Sequence, residues 1–313
     1  MALRIDRLFG GEDVSTFFGL PVCDDLAALD AKIALIGAPG ATPYETVGPY
    51  CSGAPAALRA ASASAAANFA RYNFDLCGPV FPEGQVIAAD CGDLPYDETD
   101  FAANRATIRR AIEAVLARDA VPILIGGDDS VPIPMLQAYE GRGPLTILQI
   151  DAHIDWREEH LGERLGLSST MRRASEMGQF ERIVQVGARG TGSAWPGDVD
   201  DANAWGAEIV TADTLHSVGP AAALALIPEG SDIIISLDVD AFDPAIVPAV
   251  LARTPGGLNY SQMLDLFRGA AERGRICGIN VIEFLPEADI DGMGGLTVTR
   301  LMAAMIGLLA RQV

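Results

Sequence analysis

No apolar run in this chain of 313 residues approaches a membrane span. The longest, such as 233–237, fall far short of the roughly 20 residues that a bilayer requires. Residues 1–10 mix Arg4, Asp6 and Arg7 with apolar side chains and lack the uninterrupted stretch of a secretory signal. The expected location is therefore the cytoplasm. Cysteine is scarce: five residues, Cys23, Cys51, Cys77, Cys91 and Cys277, an odd number with no CxxC pair. That argues against a disulfide framework or a cysteine-type zinc site and leaves buried reduced thiols as the expectation. Positive charge is also short. Lys and Arg number 22 against 42 Asp and Glu, a formal charge of −20 that would repel a phosphate backbone. The acidic balance serves solubility first, and it also suits a small cationic substrate.

Internal repeats, low-complexity tracts and linkers are absent too. Half the residues are hydrophobic and a fifth are charged, so the chain can bury a large core and has none of the composition of a disordered one. One domain over 1–313, with 1–30 as an N-terminal extension, is the economical partition. Short apolar runs read as strands at 33–36, 86–89, 121–125, 145–150, 182–186, 208–210, 232–237 and 276–282. Helical patterns read at 55–72, 101–118 and 297–310, with Ile108, Ile112 and Val115 on one face. Continuously apolar strands separated by helices predict an α/β fold, a three-layer α/β/α arrangement around a mostly parallel sheet. The Gly-rich stretch 187–201 and the segment 211–217, which carries His216, read as loops.

Chemistry in a parallel sheet gathers at the carboxyl ends of its strands. Behind 121–125 stands Gly126-Gly127-Asp128-Asp129-Ser130. Behind 145–150 stands Asp151-Ala152-His153-Ile154-Asp155. Asp238-Val239-Asp240 follows 232–237, and Glu283 follows 276–282. Carboxylates in such company cannot all stay ionised without protons or cations among them. Alternate residues of an extended segment point the same way, so Asp-X-His-X-Asp and Asp-X-Asp suit ligands converging on a metal. Hard oxygen donors with one imidazole favour Mn²⁺ or a similar divalent ion, and a pair of ions can generate hydroxide at neutral pH. The two glycines lack the GxxxxGK[ST] frame of a phosphate cradle and read instead as a tight turn presenting Asp129.

The segments 151–155 and 236–245, the latter reading Ser-Leu-Asp-Val-Asp-Ala-Phe-Asp-Pro-Ala, resemble two signature motifs of the ureohydrolase (arginase/agmatinase) family. The segments 126–130, 187–190 and 281–283 resemble further family segments in the same order, so the likeness runs from about Ile33 to the C-terminal helix. The resemblance implies two Mn²⁺ ions per subunit. Asp151, Asp155 and Asp238 match ligands of one; Asp151, His153, Asp238 and Asp240 match ligands of the other. Asp155 also matches a proton shuttle, and Glu283 the carboxylate that pairs with the guanidinium. Asp243 would support its motif by hydrogen bonding. The family's trimers and hexamers imply a homo-oligomer.

Three departures bear on function. Asp129 stands where the family has a metal-binding histidine, which adds a negative charge and a shorter reach. The loop 165–173 lacks the family's His-Gly-Thr-like segment. His160 is the candidate to replace it in substrate binding, against the plainer reading of an exposed loop histidine. The stretch 46–57 lacks the Arg-Pro-Gly-Ala-Arg run of agmatinases, with Gly48-Pro49-Tyr50-Cys51-Ser52-Gly53 in its place. Trp156 is either a pocket wall or a core aromatic, and Arg172 and Arg173 read as helix cations near Glu176. The implied activity is agmatinase-like hydrolysis of a guanidino C–N bond. The alternatives are hydrolysis of formimidoylglutamate and a metal-poor paralogue with a structural or regulatory role.

Overall fold

A computed structural model describes residues 14–40, 44, 46–192 and 194–312. Its strands are β1 (Ile33–Gly37), β2 (Ala88–Asp93), β3 (Val121–Ile125), β4 (Leu145–Ile150), β5 (Phe180–Val186), β6 (Glu208–Val210), β7 (Asp232–Asp238) and β8 (Arg275–Ile282). They pair as one parallel sheet in the order β2-β1-β3-β8-β7-β4-β5-β6. The helices are α1 (Ala54–Ala66), α2 (Phe101–Leu116), α3 (Pro132–Gln137), α4 (Thr170–Ser175), α5 (Pro196–Trp205), α6 (Ala212–Val218), α7 (Ala221–Leu224), α8 (Tyr260–Arg273) and α9 (Met293–Leu309).

Successive strand residues alternate between two cores. Leu35, Ile123, Ile125, Ile235 and Ile279 face a cluster with α1, α6, α7, α8 and α9. Ile36, Leu124, Ile147, Ile183 and Ile234 face a second cluster with α2, α3, α4 and α5. The predicted three-layer architecture is the one observed. Both faces of the sheet are covered, which is why its strands read as unbroken apolar runs. No helix among the described residues is long and apolar enough to cross a membrane.

Several boundaries move. The run 86–89 becomes Ala88–Asp93, because Arg59 pairs with Asp90 at 2.8 Å and Asp93 at 2.7 Å and lets acidic residues continue the strand. The helix expected over 55–72 stops at Ala66, and Phe69 turns to stack on Phe18 and to meet Phe81 edge-on. The expected loop 187–201 contains the start of α5, capped by Asp198 through the Trp195 amide. His216 lies on α6 instead of a loop, because the Thr211 hydroxyl caps that helix at the Thr214 amide. Helix α8, not expected, starts at a capping box of Asn259 and Gln262. Only Cys51 and Cys277 are buried; Cys77 is exposed, against the expectation for all five. Of the proposed extension, 1–13 lies outside the described residues, as does the stretch read for a secretory signal. Residues 14–30 bury Phe17, Phe18, Leu20 and Leu29 and hydrogen-bond to β2 through Asp90.

One row of the sheet positions the site. Ile125 is paired with Val281, Val281 with Leu237, and Leu237 with Ile150. Four neighbouring strands, β3, β8, β7 and β4, therefore end level. The acidic residues that follow them emerge along one edge of the sheet.

Candidate metal centre

At the end of β3 the chain turns through Gly126 (φ 93°) and Gly127 (φ 71°). A Cβ on Gly126 would fall 2.5 Å from the Pro55 ring, and one on Gly127 would fall 2.5 Å from Val131. Only glycine fits this turn, as the sequence reading expected. Beyond it, Asp128 accepts from the amide and hydroxyl of Ser130. The Asp129 amide donates to Glu283 Oε1 at 2.8 Å, and the Glu283 amide returns a bond of 2.9 Å to the Gly127 carbonyl. Ser168 donates to Asp129 Oδ2 at 2.9 Å, and the Thr170 hydroxyl donates to the Asp129 carbonyl. Glu283 and Asp155 sit at φ 65° and 48°. Such left-handed backbone costs about 1–3 kcal/mol per residue and is held only where the surroundings enforce it.

The two motifs are not the expected extended segments with alternate side chains on one side. β4 ends at Ile150, β7 at Asp238, and residues 239–241 form a 3-10 turn. Each aspartate instead folds its own loop: Asp151 Oδ1 accepts the His153 amide at 2.6 Å, and Asp238 Oδ1 accepts the Asp240 amide at 2.7 Å. The Ala152 amide then reaches Asp240 Oδ1 at 3.0 Å and ties the loops together. His153 Nδ1 comes to lie 3.1 Å from Asp240 Oδ2 and 3.4 Å from Asp151 Oδ1. One donor atom each from Asp151, His153 and Asp240 fall within 4.8 Å of one another.

Asp128, Asp129, Asp151, Asp155, Asp238, Asp240 and Glu283 are all buried. Two unit charges 4 Å apart repel by about 4 kcal/mol at an effective dielectric of 20, enough to shift a pKa by several units. Burial, then the charges of Asp151 and Glu283, holds Asp129 well above the usual carboxylate range. Burial and the neighbouring charges of Asp129 and Asp151 raise Asp155. Asp238 and Asp240 are raised by burial and by other members of the group. Burial and Asp128 push Glu283 up to about 8. Asp151 moves the other way: burial opposes its charge, but hydrogen bonds from His153 and Asp155 hold it low. Burial disfavours the imidazolium of His153, and its bonds to Asp151 and Asp240 override that, raising it to about 11. The half-buried Arg189 directs its N–H groups at the carbonyls of Asp240, Phe242 and Thr254, so it braces the loop. Hard oxygens, one imidazole with its nitrogen between two carboxylates, and this surplus of buried acid fit divalent cations.

Asp129, Asp151, His153, Asp155, Asp238, Asp240 and Glu283 thus all emerge along the one edge of the sheet. His160 stays out of the cluster. It is exposed on the loop after β4, bonded through its backbone to Glu163, with its ring edge-on to Tyr44. Its loop turns outward before Ser168 returns to Asp129. Trp156 is core, packed against Trp205. Arg172 and Arg173 pair with Glu158 and Glu176. Asp243 accepts from the amides of Ala245, Gly256 and Gly257, the supporting role expected of it.

Gln149, Gln185 and Tyr50 join the site although nothing in the sequence had singled them out for it. Gln149 Nε2 donates to Asp151 Oδ2 at 2.8 Å and to Asp155 Oδ2 at 2.6 Å, and Gln185 fixes that amide by donating to its Oε1 at 2.5 Å. Both glutamines interrupt apolar strands just before their ends, and a buried amide there needs a partner. Tyr50 donates to Glu283 Oε1. Nothing in its turn sequence announces a partner 233 residues away.

The chain is similar in fold and sequence to known proteins. Proclavaminate amidino hydrolase from Streptomyces clavuligerus superposes with a TM-score of 0.83 at 26% identity, over 97% of this chain and 99% of that one. Guanidinopropionase from Pseudomonas aeruginosa is 29% identical over 99% of this chain and 95% of its own length. The human mitochondrial guanidino acid hydrolase is 29% identical over 72% of this chain, a match that spans 65% of that protein. The model of the Arginase family matches residues 31–307, a span that takes in the sheet and the whole acidic edge, and the chain belongs to that family.

Proposed function

We propose that the protein is an agmatinase-like, manganese-dependent hydrolase that cuts a guanidino C–N bond and releases urea and an amine. The observation that carries this reading is the meeting of Asp151, His153 and Asp240 beside Asp238, Asp155 and Glu283 at three neighbouring strand ends. Asp151, His153, Asp238 and Asp240 would hold one ion. Asp129, Asp151, Asp155 and Asp238 would hold a second. When bound, such ions supply a water acidic enough to lose its proton near neutral pH.

The chain's own residues do the rest. A guanidinium carbon is a poor electrophile, so it must be held in place and its leaving nitrogen protonated. Glu283 binds the cation by charge-assisted hydrogen bonding and fixes its carbon. Asp155, buried beside Asp151, takes the proton of the attacking water and delivers it to the departing amine nitrogen. One C–O bond forms, one C–N bond breaks, and one water is consumed. Relatives named for guanidino compounds and for amidino hydrolysis support the substrate class.

The test is a urea-release screen of Mn²⁺-loaded protein over agmatine, arginine, guanidinobutyrate and guanidinopropionate, with metal analysis alongside. Urea from at least one substrate and about two ions per chain are expected. Formimidoylglutamate is the control arm, since its hydrolysis gives formamide instead. Cleavage of that compound alone, or no bound metal, would overturn the reading.

A further inference from the structure

Glu283 is not equally available at its two oxygens. Oε1 accepts from the Tyr50 hydroxyl at 2.5 Å and from the Asp129 amide at 2.8 Å. A carboxylate oxygen has two lone pairs, so Oε1 is saturated from within the protein. Among the described residues, the donor at Oε2 is Cys51 Sγ at 4.0 Å, a weak donor at the limit of reach.

The turn that carries Tyr50 is fixed. The Ser52 amide bonds to the Pro49 carbonyl at 2.9 Å and the Ala54 amide to the Cys51 carbonyl at 3.0 Å, and Cys51 is buried. The Pro55 ring lies against Gly126 so closely that no Cβ fits between them. Tyr50 is therefore anchored to the β3 turn that also carries Asp129. Glu283 is anchored there by its own amide.

We propose that Tyr50 is a positioning residue for substrate recognition: it fixes the plane of the Glu283 carboxylate and leaves Oε2 as the single oxygen offered to the cation. This rests on Glu283 being the partner of the guanidino group, as proposed above. The consequence is geometric. A guanidinium meeting a free carboxylate takes both oxygens in a two-point fork. Here the fork is closed, so the cation binds through one oxygen of fixed direction. That sets where its carbon lies relative to Asp155. Without the hydroxyl, Oε1 opens, the fork becomes available, and the cation binds at least as well but in the wrong place.

Tyr50→Phe tests this, since it removes the hydroxyl and keeps the ring. Three quantities are measured on metal-loaded enzyme: kcat on the best guanidino substrate, the dissociation constant of guanidinium chloride by calorimetry, and the melting temperature. The expected result is a fall in kcat of about tenfold or more, with guanidinium affinity unchanged within about threefold or tighter, because misplacement slows chemistry without removing binding energy. The proposal is overturned if Y50F keeps kcat within threefold, or if its affinity for guanidinium weakens as much as kcat falls. It is also overturned if Y50F melts more than about 10 °C lower, which would make the role structural. Urea release by wild type with no Y50F effect sinks this inference alone; no urea release from any substrate by wild type sinks the proposed function with it.

Discussion

Gln149 and Asp155 are joined by a hydrogen bond of 2.6 Å, and the same amide nitrogen reaches Asp151 at 2.8 Å. One neutral side chain thus orients both the carboxylate proposed to move the proton and the carboxylate proposed to be shared by the two ions. Gln149→Met keeps the volume and removes the donor. Residues that orient metal ligands typically carry 10–100-fold in metal affinity or activity. A loss of that size in kcat or in Mn²⁺ affinity is expected, smaller than the about 10²–10⁴-fold expected for Asp155→Asn, which deletes the general acid itself. Steady-state kinetics at saturating Mn²⁺ with metal titration decide it. Wild-type values in both would show that the bridge orients nothing.

Asp129, proposed as a ligand where the resembled motif has histidine, is held from several sides. Ser168 donates to its side chain at 2.9 Å, and Thr170 and Glu283 hold its backbone. An imidazole is a good ligand for Mn²⁺ and removes one of the buried negative charges. Asp129→His is therefore expected to hold or raise affinity for the second ion, read by competition with a chelator. A collapse of binding would show that the loop around Ser168 is built for a carboxylate.

The sheet was legible because burial on both faces leaves no polar alternation to confuse a strand with a loop; every strand but β2 lies on its apolar run, and β2 overlaps its run only at Ala88 and Ala89. What failed was local in cause. β2 runs on through Asp90 and Asp93 because Arg59, on another element, pairs with both. α6 exists because a threonine caps it, a signal too weak alone to call seven residues. The acidic residues of the site were legible because each stands just after a strand. Tyr50 was not, because its partner is brought to it only by the order of strands in the sheet. His160 shows the converse: proximity in sequence to Asp155 did not bring it into the cluster.

The acidic edge links metal to stability. Glu283 is raised from 4.5 to about 8 by burial and then by Asp128, and Asp129, Asp155, Asp238 and Asp240 are raised by burial and by their neighbours. A carboxylate whose pKa is higher folded than unfolded contributes stability below its unfolded pKa and loses it as pH rises through the folded value. Metal-free protein should therefore lose stability between about pH 4.5 and 8. Asp151, shifted low, acts only below that window. The proposed divalent cations would replace the protons, so added Mn²⁺ should raise the melting temperature more at about pH 8 than at about pH 6. Thermal melts of chelator-treated protein at both values check this. A metal-free form that melts higher at pH 8 than at pH 6 would contradict it.

Asp75 carries the opposite sign. It is buried, and Arg300 grips it with two bonds of 2.8 and 2.9 Å while the Tyr260 hydroxyl adds a third at 2.8 Å. The segment after α1 is thereby fastened to α8 and α9. The Arg300 bonds hold the Asp75 carboxyl below its usual range, against the opposing effect of burial. A lowered carboxylate contributes stability above its unfolded pKa of about 3.9 and loses it as pH falls through the folded value. Asp75→Asn should then cost roughly 1–3 kcal/mol near pH 7, toward the lower end because Arg300 is largely exposed and its charge is screened. The cost should shrink as pH falls below about 4, where the wild-type carboxylate takes up its proton. Denaturant midpoints of both proteins at neutral and acid pH measure it. A gap between them that stays constant across that range would mean that the asparagine disturbs packing, and that the ion pair contributes nothing of its own.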